Sequence, residues 1–235
     1  MKIPITLMIC TCAWAQTGVV QPQLGKMLDP SGAVRTVYGI ASSVTLGTAE
    51  ITGVLSSGCS HTVCLAKTEV SIVSSPGTVA APAGPAMFAF DGATALVWFP
   101  ASRQLARWQN GALAFIPASI DGEVLSIGAN AGAVQFAVRR RSGVWIVNQD
   151  GSIASSLPRA TGPVLIAPGG AIYATDSEIV LGDVHFPLAG VTELSQMSGS
   201  YVQVRAGRID YALRIDPGRE VLFQLPAVNQ AGVSQ

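Results

Sequence analysis

Two acidic residues stand out among the side chains of this sequence that could take part in chemistry. Asp176 and Glu178 lie two positions apart at a predicted strand end, so both side chains would point to one face of the strand. Glycoside cleavage by the usual route needs two carboxylates across a pocket. The pair is therefore a candidate site for a glycan or a cation, and a solvated turn is the competing interpretation.

A run of three arginines, Arg139-Arg140-Arg141, is the longest stretch of like charge and is followed by Ser142-Gly143. This order predicts a hairpin tip after a strand that ends near Val138. Clustered guanidinium groups can hold carboxylates, phosphates or anionic sugars. The three arginines are therefore a second candidate binding site, and a solvated hairpin tip is again the alternative.

Other catalytic and metal-binding patterns are absent from the sequence. The two histidines, His61 and His185, lie in unrelated contexts, and no Gly-x-Ser-x-Gly motif is present to activate a serine. Neither an Asp-x-Asp-x-Asp-Gly calcium loop nor a glycine-rich phosphate loop occurs. We therefore expect no catalytic residue beyond the acidic pair, no metal site and no cofactor.

The charge of the chain is balanced, with 14 basic and 14 acidic residues among 235, and only 12% of the residues are charged. A protein that binds nucleic acid through its phosphates carries a basic excess, and a disordered chain is poor in apolar residues. This chain has neither property, since 49% of it is hydrophobic. The composition predicts a folded protein whose partner is a protein or a glycan and not nucleic acid.

Residues 1–15 have the order of a secretory signal peptide, with Lys2, a short apolar run and Ala13-Trp14-Ala15 before Gln16. The apolar run is shorter than the roughly 20 residues that a membrane-spanning helix needs. We therefore expect export without a membrane span and an extracytoplasmic location, either periplasmic or secreted.

Cys59 and Cys64 are the cysteines that remain after such a cleavage. In an exported chain their spacing predicts a small disulfide loop that closes a hairpin. A metal site that includes His61 is the alternative, but it lacks a second pair of ligands.

Alternating apolar and polar residues predict strands along almost the whole chain, whereas the best helical window, Ser102 to Gln109, is short. One strand, from Ile209 to Ile215, would bury its odd-numbered residues. Short turn signals between the strands predict hairpin tips. They are Asp91-Gly92, Asn110-Gly111, Asp121-Gly122, Asp150-Gly151, Gly169-Gly170, Gly182-Asp183 and Asp216-Pro217-Gly218.

The hairpins recur with a common pattern of a turn, a strand and a closing proline. Successive closing prolines are 35, 41, 29 and 39 residues apart, namely Pro82, Pro117, Pro158, Pro187 and Pro226. Such a period is enough for four short strands, the unit of a β-propeller blade. Met27 to Val37 repeats the pattern of Arg214 to Val221, which indicates either a partial blade or a hairpin that pairs with the last blade.

This pattern resembles the degenerate blades of secreted bacterial β-propellers of the NHL or YVTN type, over Ala86 to Pro226 more closely than over Gly25 to Pro85. The resemblance implies an all-β, β-propeller-like domain over residues 16–226, with about five blades or six, followed by a tail at 227–235. A β-sandwich with accidental spacing is the alternative fold.

Blades of this kind host many functions. We expect a non-catalytic binding or scaffold module of the bacterial cell envelope or secreted fraction. Its partners would bind loops at one end of the ring, where Arg139 to Arg141 and the Cys59–Cys64 loop are candidates. The alternative is a carbohydrate-active enzyme, a glycan hydrolase or lyase that uses Asp176 and Glu178 with an arginine as anion clamp.

Overall fold

A computed structural model describes residues 21–228 except 42, 76, 93, 131 and 132. The predicted signal peptide, 1–15, and most of the predicted tail, 229–235, lie outside the described residues. Within them the chain forms 23 strands, and no helix is long and apolar enough to cross a membrane. The weak helical window is wrong, because a strand from Gln104 to Gln109 pairs there on both sides.

The strands form six antiparallel sheets in chain order, which we call blades 1 to 6. Blade 1 has three strands, β1 (Gln23–Leu28), β2 (Val34–Ile40) and β3 (Ser43–Ile51). Blade 2 contains β4 (Ser56–Cys59), β5 (Cys64–Lys67), β6 (Ser71–Ser74) and β7 (Gly77–Ala80). Blade 3 contains β8 (Met87–Asp91), β9 (Thr94–Phe99), β10 (Gln104–Gln109) and β11 (Ala112–Ile116).

The remaining three blades also have four strands each. Blade 4 contains β12 (Glu123–Asn130), β13 (Ala133–Arg140), β14 (Gly143–Asn148) and β15 (Ile153–Leu157). Blade 5 contains β16 (Val164–Ala167), β17 (Gly170–Ala174), β18 (Glu178–Leu181) and β19 (Val184–Pro187). Blade 6 contains β20 (Val191–Gln196), β21 (Tyr201–Ala206), β22 (Ile209–Arg214) and β23 (Val221–Gln224).

Apolar side chains between successive blades form six core clusters, one at each junction, including the junction between blade 6 and blade 1. Trp98 of blade 3, for example, meets Phe136 of blade 4 edge-on, with ring centroids 5.4 Å apart. Sheets that pack face to face in a closed cycle form a β-propeller. The predicted fold is therefore confirmed, and the sandwich alternative is wrong because a sandwich has two packed sheets.

The predicted turn signals mark hairpins at all positions except one. Asp121-Gly122 lies in the linker from β11 to β12, because there the chain crosses from the outer edge of blade 3 to the inner edge of blade 4. Each closing proline ends the outer strand of its blade or follows it closely. The sequence period therefore corresponds to one blade.

The first strands of blades 2 to 6 lie innermost, and their beginnings line one cavity on the ring axis. We call the end at which these strands begin the upper end. The linkers between blades and the turns between second and third strands lie there. The opposite, lower end carries the turns that join first to second and third to fourth strands.

Among the described residues, blade 1 has no inner strand. β1 begins beside the lower-end turn that follows β20, where the main-chain N–H of Lys26 donates to the Met197 carbonyl over 3.0 Å. β1 ends at Leu28, whose carbonyl accepts from Arg205 near the upper end of β21. β1 thus runs in the direction of a second strand, and β4 and β20 approach each other directly. Gly25 (φ +149°) permits the close approach, because a Cβ there would lie 2.4 Å from the Met197 carbonyl oxygen.

Candidate functional site

A cavity of about 320 Å³ opens on the ring axis at the upper end and is lined by the first strands of blades 2 to 6 and their linkers. Serines of inner strands line it, among them Ser57, Ser126 and Ser195. Two of the lining serines also join neighbouring blades: Ser56 accepts from the Ala86 N–H over 2.9 Å, and Ser126 from the Ile166 N–H over 3.1 Å. The walls are therefore held by side-chain contacts between blades.

Glu193 is the single charged residue among the described residues that line this cavity. It is the inner end of a row of charges across blade 6, in which Arg205 lies between Glu193, at 2.7 Å, and Asp210, at 2.9 Å. The Glu193 side chain is 36% exposed. Burial, with the nearby Asp210 carboxylate, raises the pKa of Glu193 above its ordinary value even though Arg205 acts against this rise.

The same row contacts the inner edge of blade 1, where the described part of the chain provides no inner strand. Gln203 accepts from the Leu28 N–H over 3.0 Å and donates to the Leu28 carbonyl over 2.8 Å, and Arg205 donates to that carbonyl over 2.5 Å. Gln203 also donates to Asp210 over 2.8 Å. Buried main-chain groups need partners, and here a side-chain amide supplies what a neighbouring strand would supply. We call Gln203, Arg205 and Asp210 the closing clasp.

Apolar side chains lie at the opening of the cavity and elsewhere at the upper end. Leu55 is 43% exposed and Val70, in the turn between β5 and β6, is 63% exposed. Pro85, Pro100 and Pro163 line the opening with Leu55. We call these five residues the upper rim.

A buried lysine holds the turn that carries Val70. The Lys67 side chain is fully buried, and its ammonium donates to the carbonyls of Thr68, at 2.6 Å, and Glu69, at 3.0 Å. Burial lowers the pKa of Lys67. The ammonium thus fixes the main chain on the N-terminal side of Val70, so this part of the upper rim is preorganised.

The arginine run ends β13 and continues into its turn, as predicted, but two of its members bind linkers. Arg139 contacts Glu123, at 3.4 Å, and donates to the Gly162 carbonyl over 3.4 Å. Arg140 donates to the Asp121 carbonyl over 3.3 Å. Arg141 lies in the turn with its side chain exposed.

Asp176 and Glu178 also lie at the upper end, and they contact different partners. Asp176 accepts from the Thr161 hydroxyl over 2.8 Å. Glu178 forms an ion pair with Arg159 and lies 3.1 Å from Nδ1 of His185. Both carboxylates thereby bind the linker from blade 4 to blade 5, as Arg139 does from the other side. The structure brings the two predicted groups together around this linker, outside the lining of the axial cavity.

The Cys59–Cys64 disulfide is present and closes the β4–β5 hairpin, with the two Cα atoms 4.1 Å apart. Its loop lies at the lower end, opposite Arg139 to Arg141, so the expectation that both share one end is wrong. The His61 ring covers Gly199 of the β20–β21 turn, where a Cβ would meet the ring. No group of histidine, cysteine, aspartate and glutamate that could hold a metal occurs in the described part of the chain.

Comparisons with known proteins agree on the fold. No protein-family model and no curated protein sequence matches the chain. Among solved structures, a chain of the nidogen/laminin complex aligns with 86% of this chain and 92% of its own length, with a TM-score of 0.52 and 13% identity. At this identity the similarity shows the fold alone.

Two further structures align less closely. Apo AztD from Citrobacter koseri covers 86% of this chain and 69% of its own length, with a TM-score of 0.46 and 13% identity. A quinoprotein alcohol dehydrogenase-like protein from Bacteroides thetaiotaomicron covers 89% of this chain and 67% of its own length, with a TM-score of 0.41 and 13% identity. Neither similarity carries an argument about function.

Proposed function

We propose that the chain is a non-catalytic, exported binding module that contacts a protein partner through the upper rim. The observation that carries this proposal is the upper rim, with exposed Leu55 and Val70, beside an axial cavity whose described lining contains a single carboxylate, Glu193. Glycoside cleavage would need two carboxylates that converge on a pocket. Exposed apolar groups beside a concave site are typical of protein-binding surfaces.

The partner class follows from the shape and chemistry of this surface. Leu55 and Val70 present aliphatic side chains, and the Lys67 ammonium holds the turn beside them, so little ordering is required when a partner binds. The similar chain in the nidogen/laminin complex belongs, by its description, to an assembly of proteins, which supports the same class. A glycan partner stays a prediction of the sequence.

Export is the other half of the proposal. The residues at 1–15 have the order of a signal peptide, and the Cys59–Cys64 disulfide is compatible with an oxidising compartment. The relation to secreted bacterial blades of the NHL or YVTN type belongs to this proposal as well. Location is checked by fractionating cells that express the full chain.

Site-specific photo-crosslinking tests the binding surface. A photoreactive amino acid replaces Val70 at the upper rim or, as a matched control, Ile153, which is 55% exposed on the outer strand of blade 4. The proposal predicts a protein adduct from position 70, none from position 153, and loss of the adduct when Leu55→Asp is added. Equal adducts from both positions, or none from position 70, would overturn the proposal.

A further inference from the structure

The charged groups around the axial cavity favour a cation. Asp210 and Glu193 are two carboxylates that share one guanidinium, Arg205, whose donors are directed to both of them and to the Leu28 carbonyl. The Glu193 Oε2 atom accepts from Arg205. Its Oε1 atom accepts no hydrogen bond from the described residues. The row therefore carries one net negative charge, and its inner end, Glu193, lines the cavity.

An anionic ligand finds no counter-charge in this place. Among the described residues that line the cavity there is no lysine, arginine or histidine. A carboxylate or phosphate group would lose its hydration and would also be repelled by Glu193. The cavity thus selects against anions by its composition.

The walls suit an aliphatic stem that ends in an ammonium group. Leu55 and Pro85 at the opening give way to the polar residues Ser57 and Ser195 further along the inner strands. A lysine side chain has this order of properties, since its methylene stem packs on apolar surface and its three donors need several acceptors. A carboxylate oxygen and nearby hydroxyls can supply such acceptors.

We propose that the axial cavity binds a lysine side chain of the partner protein, with its ammonium group at Glu193 and its stem against the upper rim. This inference rests on the proposed protein-binding function and names the partner residue that the cavity recognises. A protruding lysine on the partner would anchor the complex at the ring axis, while the upper rim contacts the surface around that lysine.

Blocked tripeptides titrated into the full-length mature protein test the site, with binding followed by NMR chemical shifts. The acetylated, amidated peptide Gly-Lys-Gly is expected to bind at least tenfold more tightly at neutral pH than Gly-norleucine-Gly, which has the same stem without the charge. An arginine peptide distinguishes an ammonium site from general affinity for cations. Equal affinity for the lysine and norleucine peptides would overturn the inference.

Substitutions locate the contact. Glu193→Gln is expected to reduce lysine-peptide affinity to the norleucine level, whereas Glu123→Gln, a matched change of an exposed upper-end carboxylate, should leave the affinity unchanged. Unchanged affinity in Glu193→Gln would contradict the inference. If Glu193→Gln does not fold, the wild-type protein can still test the inference. Saturating lysine peptide is then expected to lower the pKa of Glu193 measured by NMR, and the norleucine peptide is expected to leave that pKa unchanged.

The two proposals can fail separately. If the adduct from position 70 is as abundant in Glu193→Gln as in the wild type, the proposed protein-binding function stands and the proposed lysine site is rejected. Lysine-peptide binding without any adduct from position 70 would support a cation site and remove the protein-binding surface.

Discussion

Replacing Gln203 tests whether the closing clasp does for β1 what an inner strand would do, since the described residues provide none in blade 1. The Gln203→Met change keeps the length of the side chain and removes three short hydrogen bonds, two to Leu28 and one to Asp210, together with a 3.5 Å contact from the Ser195 hydroxyl. Arg205 still donates to the Leu28 carbonyl and to Asp210, so the Leu28 N–H is the group that loses its partner.

The size of the effect follows from these contacts. A buried N–H left without a partner costs about 1–3 kcal/mol, and each of the other two bonds contributes about 0.5–1.5 kcal/mol. Because Gln203 is only 1% exposed, water does not compensate. We expect Gln203→Met to lower the free energy of unfolding by about 2–6 kcal/mol.

Urea unfolding followed by circular dichroism measures this loss. The matched control is Gln135→Met, at a half-buried glutamine on the second strand of blade 4, which should change the free energy by less than about 0.5 kcal/mol. Gln203→Glu places a second carboxylate beside Asp210 and should be less stable at neutral pH than in mild acid. Equal losses in Gln203→Met and Gln135→Met would refute this account of ring closure.

Three further changes test other parts of the structure. Asp29 accepts hydrogen bonds from Ser31, Ala33 and Arg35, which lower its pKa although burial acts to raise it. Asp29→Ala should lower the free energy of unfolding, measured in urea, by about 2–4 kcal/mol. The difference between the wild type and this variant should become smaller as pH falls below 3.8, because the carboxylate is then protonated. Changing both Cys59 and Cys64 to serine should lower the free energy of unfolding by about 2 kcal/mol and abolish the effect of reductant on thermal unfolding. A melting temperature equal to that of the wild type would contradict a closed disulfide. The pKa of Glu193 is raised, so ionising its carboxyl group destabilises the folded state. The free energy of unfolding of the wild type should therefore fall relative to that of Glu193→Gln as pH rises from 4.5. A rise of the wild type relative to the variant over the same pH range would contradict the burial of Glu193.

The blades were predictable because hairpins are local. Asn110-Gly111 provides positive φ angles at both positions of a tight turn, and such pairs mark the strands on either side whatever surrounds them. Asp121-Gly122 has the same local signal but lies in a linker, where the need to cross between sheets decides the conformation. The repeat from Met27 to Val37 indicates a partial blade or a hairpin that pairs with the last blade, and the three-stranded blade 1 is the partial blade. The packing of β1 against β21 is not indicated by any local pattern.

Strand faces were less predictable than strand positions. From Ile209 to Ile215 the alternation predicts a polar outer position at Asp210, yet Asp210 is buried and Ile209 is 42% exposed. Tyr211, Leu213 and Ile215 pack in the core as the alternation predicts. The departure at Asp210 has a physical cause, since this residue belongs to the polar clasp that contacts Leu28 of blade 1. A buried charge with two partners therefore replaces the exposed polar residue that alternation predicts.

The candidate site was only partly accessible from sequence. The sequence indicates charged groups at turns, and the structure places these groups at the upper end, where they contact linkers. They are Arg139, Arg140, Asp176 and Glu178. Glu193 was missed because it lies within an ordinary strand, and only the order of strands in the sheet shows that this strand is innermost. A polar-rich first strand, such as β20, is the signal that could have indicated a residue facing the axis.

Hydrogen–deuterium exchange on the complex trapped from position 70 tests the central claim most directly. The account predicts that the partner slows exchange at the upper end, in the segments 54–57 and 68–71, and leaves the disulfide loop at 60–63 unchanged. Slower exchange at the disulfide loop and the lower-end hairpin tips, with the upper rim unchanged, would contradict it.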